Sequence, residues 1–434
     1  LKDIKHRVYM ENMAKKHEIH GFCYYHYWFK NKKIMYEPLE LMLDDGHPDL
    51  PFMLCWANEQ WTKRWDGGNN EVLIEQDYDD EEGNKNHFEY LLTYFKHKNY
   101  IKIKNKPVFI FYRIEEKDIK SIENIIEKWN KYSIQHNFSG IHFMRFYGPF
   151  DNKIEINGID GYINFEPGYT TQVYGQDILS YNKDNLIFEN EKDYNEEEYL
   201  NKNPDVRDSI KNNKIESGLI HYRSLKEKER FIRTSKFNVH CGETIMEKLK
   251  LQKINKKDHH LGIFVGWNNF PRRNYTNKNY FTYPLYYKNI TNEIFGDTYN
   301  TVLNNTNNTS NNDMNFLFIT SWNEWNEQSS LEPNDYDGYN YLTEIKDKYY
   351  NYYKFNKTKK ILIISHKGGG TEKYINDLSK IYVNYKFIFY DEKLGPSYYK
   401  NIDLIHINSL FTLNLINNYT DFFKNNFKNV KKII

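Results

Sequence analysis

Residues 316–333 read FLFITSWNEWNEQSSLEP, and the reading of this stretch decides the fold class. An apolar run of strand length, 316–320, ends at once in indoles, amides and carboxylates: Trp322, Asn323, Glu324, Trp325, Asn326, Glu327 and Glu332. Barrel enzymes place their chemistry in this way, on loops leaving the C-terminal ends of parallel strands. Glu324 and Glu327 are three apart, so a helical turn after the strand brings their Cβ atoms to roughly 5–6 Å. Two carboxyl groups on one wall of a sugar-sized cleft suit acid/base work at a glycosidic bond. The competing reading, a solvated loop with scattered acids, leaves Trp322 and Trp325 bare in water.

The same pattern recurs upstream. The strand-like run 21–29, GFCYYHYWF, carries His26 and Trp28 at its end, and the run 51–57, closing with Trp56, releases Asn58, Glu59, Trp61, Arg64, Trp65 and Asp66. Residues 106–111 lead to Tyr112 and Arg113, and 141–146 bring Arg145 and Tyr147. Residues 160–167 hold Asn164 and Glu166, and 261–266 deliver Trp267, Asn268, Asn269, Arg272 and Arg273. Helical spacing fills the gaps at 1–17, 39–43, 88–95 and 119–129. Strands alternating with helices predict an α/β chain. Because nearly every strand releases polar groups, a (β/α)8 TIM-type barrel fits better than a doubly wound sheet, which gathers ligands at one switch point. The chain begins in a helix without an initiator Met, so the barrel is expected to lack its first strand.

Two segments interrupt the pattern. Residues 190–233 are rich in charge and Asn and read as a small inserted module with two short helices around Asn203, Pro204 and Asp205. Residues 304–312, nearly all Asn, Thr and Ser, read as a disordered loop. A second domain is expected from 354. There a strand at 361–365, a glycine turn through Gly368, Gly369 and Gly370, and a helix at 373–380 form the arrangement that offers backbone N–H groups to phosphate. Strands at 387–390 and 404–407 follow, too few to complete a nucleotide-binding sheet. The expected organisation is therefore 1–189 and 234–353 as two parts of one barrel, 190–233 as the insert, and 354–434 as an incomplete Rossmann-like domain.

Bulk properties narrow the partners. Sixty Lys and Arg face 59 Asp and Glu, a net charge of +1, which points away from nucleic acid and anionic membranes and towards neutral polar ligands. The 39 Tyr and 28 Phe serve both core packing and sugar stacking, and composition does not separate the two. Three Cys, two inside apolar runs, argue against a disulfide framework and for a reducing compartment. No apolar run approaches the roughly 20 residues that span a bilayer. The expected location is cytoplasmic, at most peripheral to a membrane. His259 and His260 lack carboxylate or Cys at ligand spacing, so no metal and no cofactor is expected.

The motifs GFCYYHYWF, PFMLCWANEQWTKRWDG, GYINFEPGY, GWNNFPRR and SWNEWNEQSSLEP, in this order, resemble the WbsX family of polysaccharide-biosynthesis proteins, related to glycoside hydrolase family 99, over about residues 1–345 apart from the insert. The resemblance implies a (β/α)8 barrel that builds or trims cell-surface glycans, with a glycan or glycolipid as substrate. It implies that Glu327 is the general acid/base and that Glu324 assists the sugar's own 2-hydroxyl in displacing the leaving group with retention. Such roles require unlike surroundings, Glu327 protonated and Glu324 ionised near neutral pH, which a neighbouring negative charge and indole walls from Trp322 or Trp325 can supply. Departures from the family pattern are Asn326 and Gln328, where Ala and Gly are usual, and Asn268, where Asp is usual. The insert resembles a short module found beside glycan enzymes, matching at Tyr199, Asn203, Pro204, Asp205, His221, Tyr222, Glu229 and Arg230. The tail resembles the opening of a GT-B glycosyltransferase, which implies a sugar nucleotide at Gly368, Gly369 and Gly370.

The candidate substrate-binding set is His26, Trp28, Trp56, Asn58, Glu59, Trp61, Tyr112, Arg145, Glu166, Trp267, Asn268, Arg272, Trp322 and Asn323. Plain alternatives stand beside it. Glu59 reads equally as a salt-bridge partner of Arg64, and His26 equally as a core histidine. The Trp residues double as loop anchors, and Arg272 with Arg273 reads either as an anion clamp or as surface ion pairs. Three functions follow: a retaining glycan-active enzyme using Glu324 and Glu327, a non-catalytic glycan-binding barrel serving a fused sugar-nucleotide transferase, and a barrel transferase holding an activated donor at Arg272 and Arg273.

Overall fold

The structure is a computed structural model that describes residues 1–63, 71–147, 156–174, 186–188, 190–235, 238–254, 258–272, 285–307, 314–356, 359–364, 373, 385–389 and 404–407. The chain divides into two compact units, Leu1–Lys346 and Asp347–Ile434.

The first unit is built on seven parallel strands: β1 (Phe22–Phe29), β2 (Phe52–Trp56), β3 (Lys106–Phe111), β4 (His142–Tyr147), β5 (Gly161–Asn164), β6 (His259–Phe264) and β7 (Leu317–Thr320). Each strand pairs with the next in sequence, from β1 to β7 without reversal. An order without a switch point rules out a doubly wound sheet. The sheet curls, because the apolar cluster on its inner face draws Cys23 from β1, Met53 and Cys55 from β2, Val108 and Ile110 from β3, Met144 and Phe146 from β4, Ile163 from β5 and Phe318 from β7. Phe146 and Phe318 meet edge to face across that interior at 6.4 Å. Strands β1 and β7 are the two edges of the parallel array and do not pair with each other among the described residues. Close approach of β5 to β6 depends on Gly262, where a Cβ would lie 2.1 Å from the Asn164 carbonyl oxygen.

Helices cover the outer face. Helices α1 (Ile4–Lys16), α2 (Glu37–Asp45), α3 (Glu81–Phe95) and α4 (Ile119–Gln135) follow the apolar periodicity of their sequences. Between α3, α4 and the sheet lies the main core, with Trp56, Phe88, Phe95, Phe109, Phe111, Trp129 and Phe143 almost fully buried. Each such side chain contributes about 2–3 kcal/mol of burial free energy. Helices α5 (Gly168–Tyr174), α6 (Glu196–Lys202), α7 (Pro204–Lys211), α8 (Gly218–Ser224), α9 (Glu227–Thr234), α10 (Gly242–Leu249), α11 (Asn292–Asn307) and α12 (Asn340–Asn356) follow.

The insert holds four helices, α6 to α9, where the sequence suggested two. Its matched residues are its own framework. Tyr199 and Tyr222 pack with Phe188 and Val206, the Tyr199 hydroxyl meets His221 Nδ1 at 2.8 Å, and Arg230 lies over the Tyr222 ring. The module closes on its own ends, where Ile187 N donates to Thr234 O at 2.7 Å beside a bridge between Leu186 and Ser235.

The expected loop at 304–312 is helical as far as Asn307, and 308–312 lie outside the described residues. Polar side chains turn back onto the helix there: Asn304 Nδ2 donates to Asn300 O, and Thr306 Oγ1 to Val302 O. Asn305 Nδ2 donates instead to the carbonyls of Lys250 and Gln252. In the second unit β8 (Lys359–Ile364) lies between β9 (Tyr385–Phe389) and β10 (Leu404–Ile407), all parallel. Gly368, Gly369 and Gly370 lie outside the described residues.

Candidate active site

Strand parity decides which candidates face the lumen. Along β1 side chains alternate, so Cys23, Tyr25 and Tyr27 point inward and Tyr24, His26 and Trp28 point to the helices. His26 is buried, with its Nε2 2.7 Å from His87 Nε2 on α3, and Trp28 stacks on the His87 ring at 4.7 Å. Trp56 packs against Trp129, and its indole N–H donates to the Trp28 carbonyl. These three belong to the layer between sheet and helices and not to the lumen, a correction to the sequence expectation. Burial pushes His26 down to about 3 and His87 well below the usual range, so the pair is neutral.

Arg145 and Glu166 likewise lie on the outer side. Arg145 sits over the Tyr162 ring, 2% exposed. Glu166 is fully buried, and its carboxyl accepts from both the backbone N–H and the hydroxyl of Thr170 at the start of α5. Burial, against those two bonds, pushes it up to about 8. Asn58 locks the ends of β2 and β3 together. Its side chain accepts from Arg113 N and donates to Arg113 O and to the Tyr78 hydroxyl.

The inner face of the sheet carries Tyr112, which the sequence reading named, together with Tyr25 and Tyr27, which it passed over. Tyr25, in mid-strand, touches the rings of Tyr27 and Tyr112 yet is 42% exposed. Tyr25 lies on β1, at the edge of the parallel array, where no further parallel strand among the described residues covers its inner face. Tyr112 packs against Phe146 and Phe165, and Trp61 meets Tyr27 edge on at 5.6 Å.

Charged groups from separate loops meet these tyrosines. Glu59, after β2, pairs with Arg113, after β3, at 3.4 Å; Arg64 and Asp66 lie outside the described residues. Arg272, after β6, donates through Nη1 to Glu327 Oε1 at 2.7 Å. Burial pushes the Tyr27 phenol up to about 12, with Glu324 adding and Arg272 opposing. Tyr112 is raised by burial first, then by the charges of Glu59 and Glu327. Loops after β2, β3, β6 and β7 thus converge at one end of the sheet.

After β7 the chain does not continue as an α-helix. Asn323–Glu324 pairs antiparallel with Ser329–Ser330, and Trp325–Glu327 forms a 3-10 turn between them. Serine hydroxyls hold this hairpin: Ser321 donates to Ser329 O, Ser329 to Thr320 O and Ser330 to Trp322 O. Helical i,i+3 geometry therefore does not set the relation of the two glutamates. Glu327 is buried against Arg272, whereas Glu324 is half-exposed: its backbone N–H donates to Ser321 Oγ at 3.0 Å, and its carboxylate makes no hydrogen bond or ion pair among the described residues. The indoles do not wall Glu327. Trp322 packs edge on against Phe22, and Trp325, 48% exposed, donates to Glu332. Asn323 is exposed. Trp267 is half-buried, with no partner for its indole N–H among the described residues. Asn268 Nδ2 donates to Gln328 Oε1 at 2.8 Å. Arg273 lies outside the described residues. Among the described residues no group of three or more His, Cys, Asp or Glu is placed to hold a metal, and no helix is long and apolar enough to cross a membrane.

Comparison with known proteins agrees with the motifs. Protein WxcX of Xanthomonas campestris pv. campestris, uncharacterized, is 26% identical over 159 residues in each of two strains, B100 and ATCC 33913. That match covers 37% of this chain but only 22% of the relative's length. Among solved structures, the GH99 endo-alpha-mannosidase from Bacteriodes thetaiotaomicron superposes with a TM-score of 0.43 at 12% identity, covering 80% of this chain and 84% of that one. A glycoside hydrolase-like protein gives 0.41 at 12%, covering 80% and 86%. The model of the family Glycosyltransferase WbsX matches residues 1–345, and the chain belongs to that family.

Proposed function

We propose that this chain is a carbohydrate-active enzyme of cell-surface polysaccharide assembly that acts with retention at a glycosidic bond, with Glu327 as acid/base and Glu324 as the second carboxylate. The observation that carries the proposal is convergence. Tyr25, Tyr27, Tyr112, Glu59, Arg272, Glu324 and Glu327 come from separate strands and loops to one end of the curled sheet, close enough to touch or to shift one another's charge. Tyrosine faces suit the apolar faces of a sugar ring, and an unpaired Glu324 is available to a hydroxyl. Residues 347–434 are in our reading a GT-B-like unit that takes a sugar nucleotide.

Glu327 faces a guanidinium instead of the expected negative charge. For it to protonate a leaving oxygen, Arg272 must release it, and a substrate hydroxyl or anionic group entering the lumen offers Arg272 a new partner. Freed from the guanidinium, Glu327 takes up a proton from solvent, gives it to the leaving oxygen as the glycosidic bond breaks, and later takes one from water or an acceptor hydroxyl, the choice of which decides between hydrolysis and transfer.

The Arg272–Glu327 pair also favours a second reading, a glycan-binding barrel without chemistry, since an ion-paired carboxylate is not poised as an acid. Incubating the intact protein with defined α-mannosides and α-rhamnosides, with and without sugar nucleotides, and reading products by mass spectrometry separates the two. Turnover without nucleotide supports the enzyme; binding with no turnover in either arm overturns it.

A further inference from the structure

Glu327 and Arg272 lie on different loops, and something must hold those loops in register. The residue between them is Asn268. Its backbone N–H donates to the Glu327 carbonyl at 2.7 Å. Its side-chain oxygen accepts from Phe270 N at 3.1 Å, at the start of the 3-10 turn Phe270–Arg272 that carries the guanidinium. Its side-chain N–H donates to Gln328 Oε1 at 2.8 Å, and Gln328 is the residue directly after Glu327. Two of these bonds cross from the Arg272 loop to the Glu327 turn, and the third, to Phe270 N, fixes Asn268 to the start of the turn that carries Arg272.

Gln328 has the second unusual property. It adopts φ 48° and ψ 36°, the left-handed region that favours glycine, and its backbone N–H closes the 3-10 turn onto Trp325 O. A Gly would relieve the backbone there, so a glutamine held in that conformation points to its side chain, which bonds to Asn268.

We propose that Asn268 and Gln328 form a side-chain latch that sets the Arg272–Glu327 ion pair, with both acting as positioning residues. The proposal rests on the reading of Glu327 as acid/base for its catalytic consequence, but not for its geometric one. The latch fixes where the Glu327 carboxylate waits and how far Arg272 must move to free it. Loss of the latch therefore shows in kcat, while substrate contacts along the tyrosine wall, and with them KM, stay the same.

The decisive variant is Gln328→Gly, which removes the latch while easing the backbone, so stability and activity should move in opposite directions. The full chain carrying Gln328→Gly, Asn268→Ala or both is compared with wild type by thermal melting, by crystallography and by turnover of methyl α-mannoside and methyl α-rhamnoside, whose basic leaving oxygen needs the acid. Expected for Gln328→Gly are an equal or higher melting temperature, a displaced Glu327 carboxylate no longer on Arg272, and kcat about five- to tenfold lower with KM within twofold. The double variant should be no slower than the slower single one, because both remove the same bridge. Gln328→Glu, which keeps an acceptor for Asn268, should restore the ion pair. An unmoved Glu327–Arg272 pair in Gln328→Gly overturns the latch whatever the activity. A displaced pair in a protein whose wild type turns over no glycoside leaves the latch standing and removes the enzymatic reading instead.

Discussion

The buried histidine pair makes the sharpest statement about pH. His26 Nε2 and His87 Nε2 share one hydrogen bond in an aromatic layer of Trp28, Trp56 and Trp129, and neither ring is accessible to water. Burial holds His26 near 3 against an ordinary 6.5. Above pH 6.5 both folded and unfolded states are neutral there, and the pair adds no pH dependence. Between 6.5 and 3 the unfolded chain takes up a proton that the folded chain refuses, so stability falls as pH falls, by about 1.4 kcal/mol per unit. At pH 4.5 His26 alone costs roughly 3 kcal/mol by the same linkage. His240, held near 4, and His260, held near 3, add losses of similar order, together comparable with the roughly 5–15 kcal/mol that keeps a domain folded. Urea denaturation followed by tryptophan fluorescence from pH 7.5 to 4.5 measures the loss. The double variant His26→Phe/His87→Phe should show a visibly shallower decline. A midpoint independent of pH over this range, or one that falls as steeply in the double variant, would refute the argument. It would also reopen a substrate role for His26.

Glu166 runs the opposite way. Its folded value near 8 lies above the ordinary 4.5, so its contribution is intact below 4.5 and is lost as pH rises towards 8, by roughly 3 kcal/mol at pH 7. Glu166→Gln should accordingly gain melting temperature relative to wild type at pH 8 more than at pH 5. Arg272→Ala breaks a part-buried charged hydrogen bond and should cost about 1–2 kcal/mol in urea titration, with Arg272→Lys in between. The insert closes on itself at Ile187 and Thr234, so replacing 190–233 by a short Gly-Ser linker should leave the circular dichroism of the remaining chain and one cooperative melt; loss of cooperative melting would contradict its independence.

Strand order and strand ends were readable because each apolar run is short, bounded and followed by polar residues. The face of each strand was harder. His26 and Trp28 were taken for their chemistry, although Cys23, Tyr25 and Tyr27 share the inward parity, and an aromatic run such as FCYYHYWF offers no polar alternation to mark the inside. Arg145 lies on the helix side of β4 for the same reason, one position along a strand moving a side chain from one face to the other, and Glu166, two residues beyond β5, is taken up by Thr170. The last motif was legible as a site but not in shape, since the Ser hydroxyls that fold it into a hairpin act through bonds to carbonyls eight or nine residues away. Pairing of Arg272 with Glu327 joins loops 55 residues apart, and no local pattern announces it. Module residues such as Tyr199 and Arg230 matched a motif, and in the fold they are its internal packing.

The assignment of Glu327 as proton donor is tested most directly by varying the leaving group. An acid matters where the departing oxygen is basic and hardly at all where it is a good anion. Single-turnover rates for alkyl and 2,4-dinitrophenyl glycosides of whichever sugar the intact protein accepts should diverge in Glu327→Gln, the alkyl rate falling about 10²–10⁴-fold and the dinitrophenyl rate falling little. Equal rates for wild type and variant on the alkyl glycoside would contradict the account at its centre.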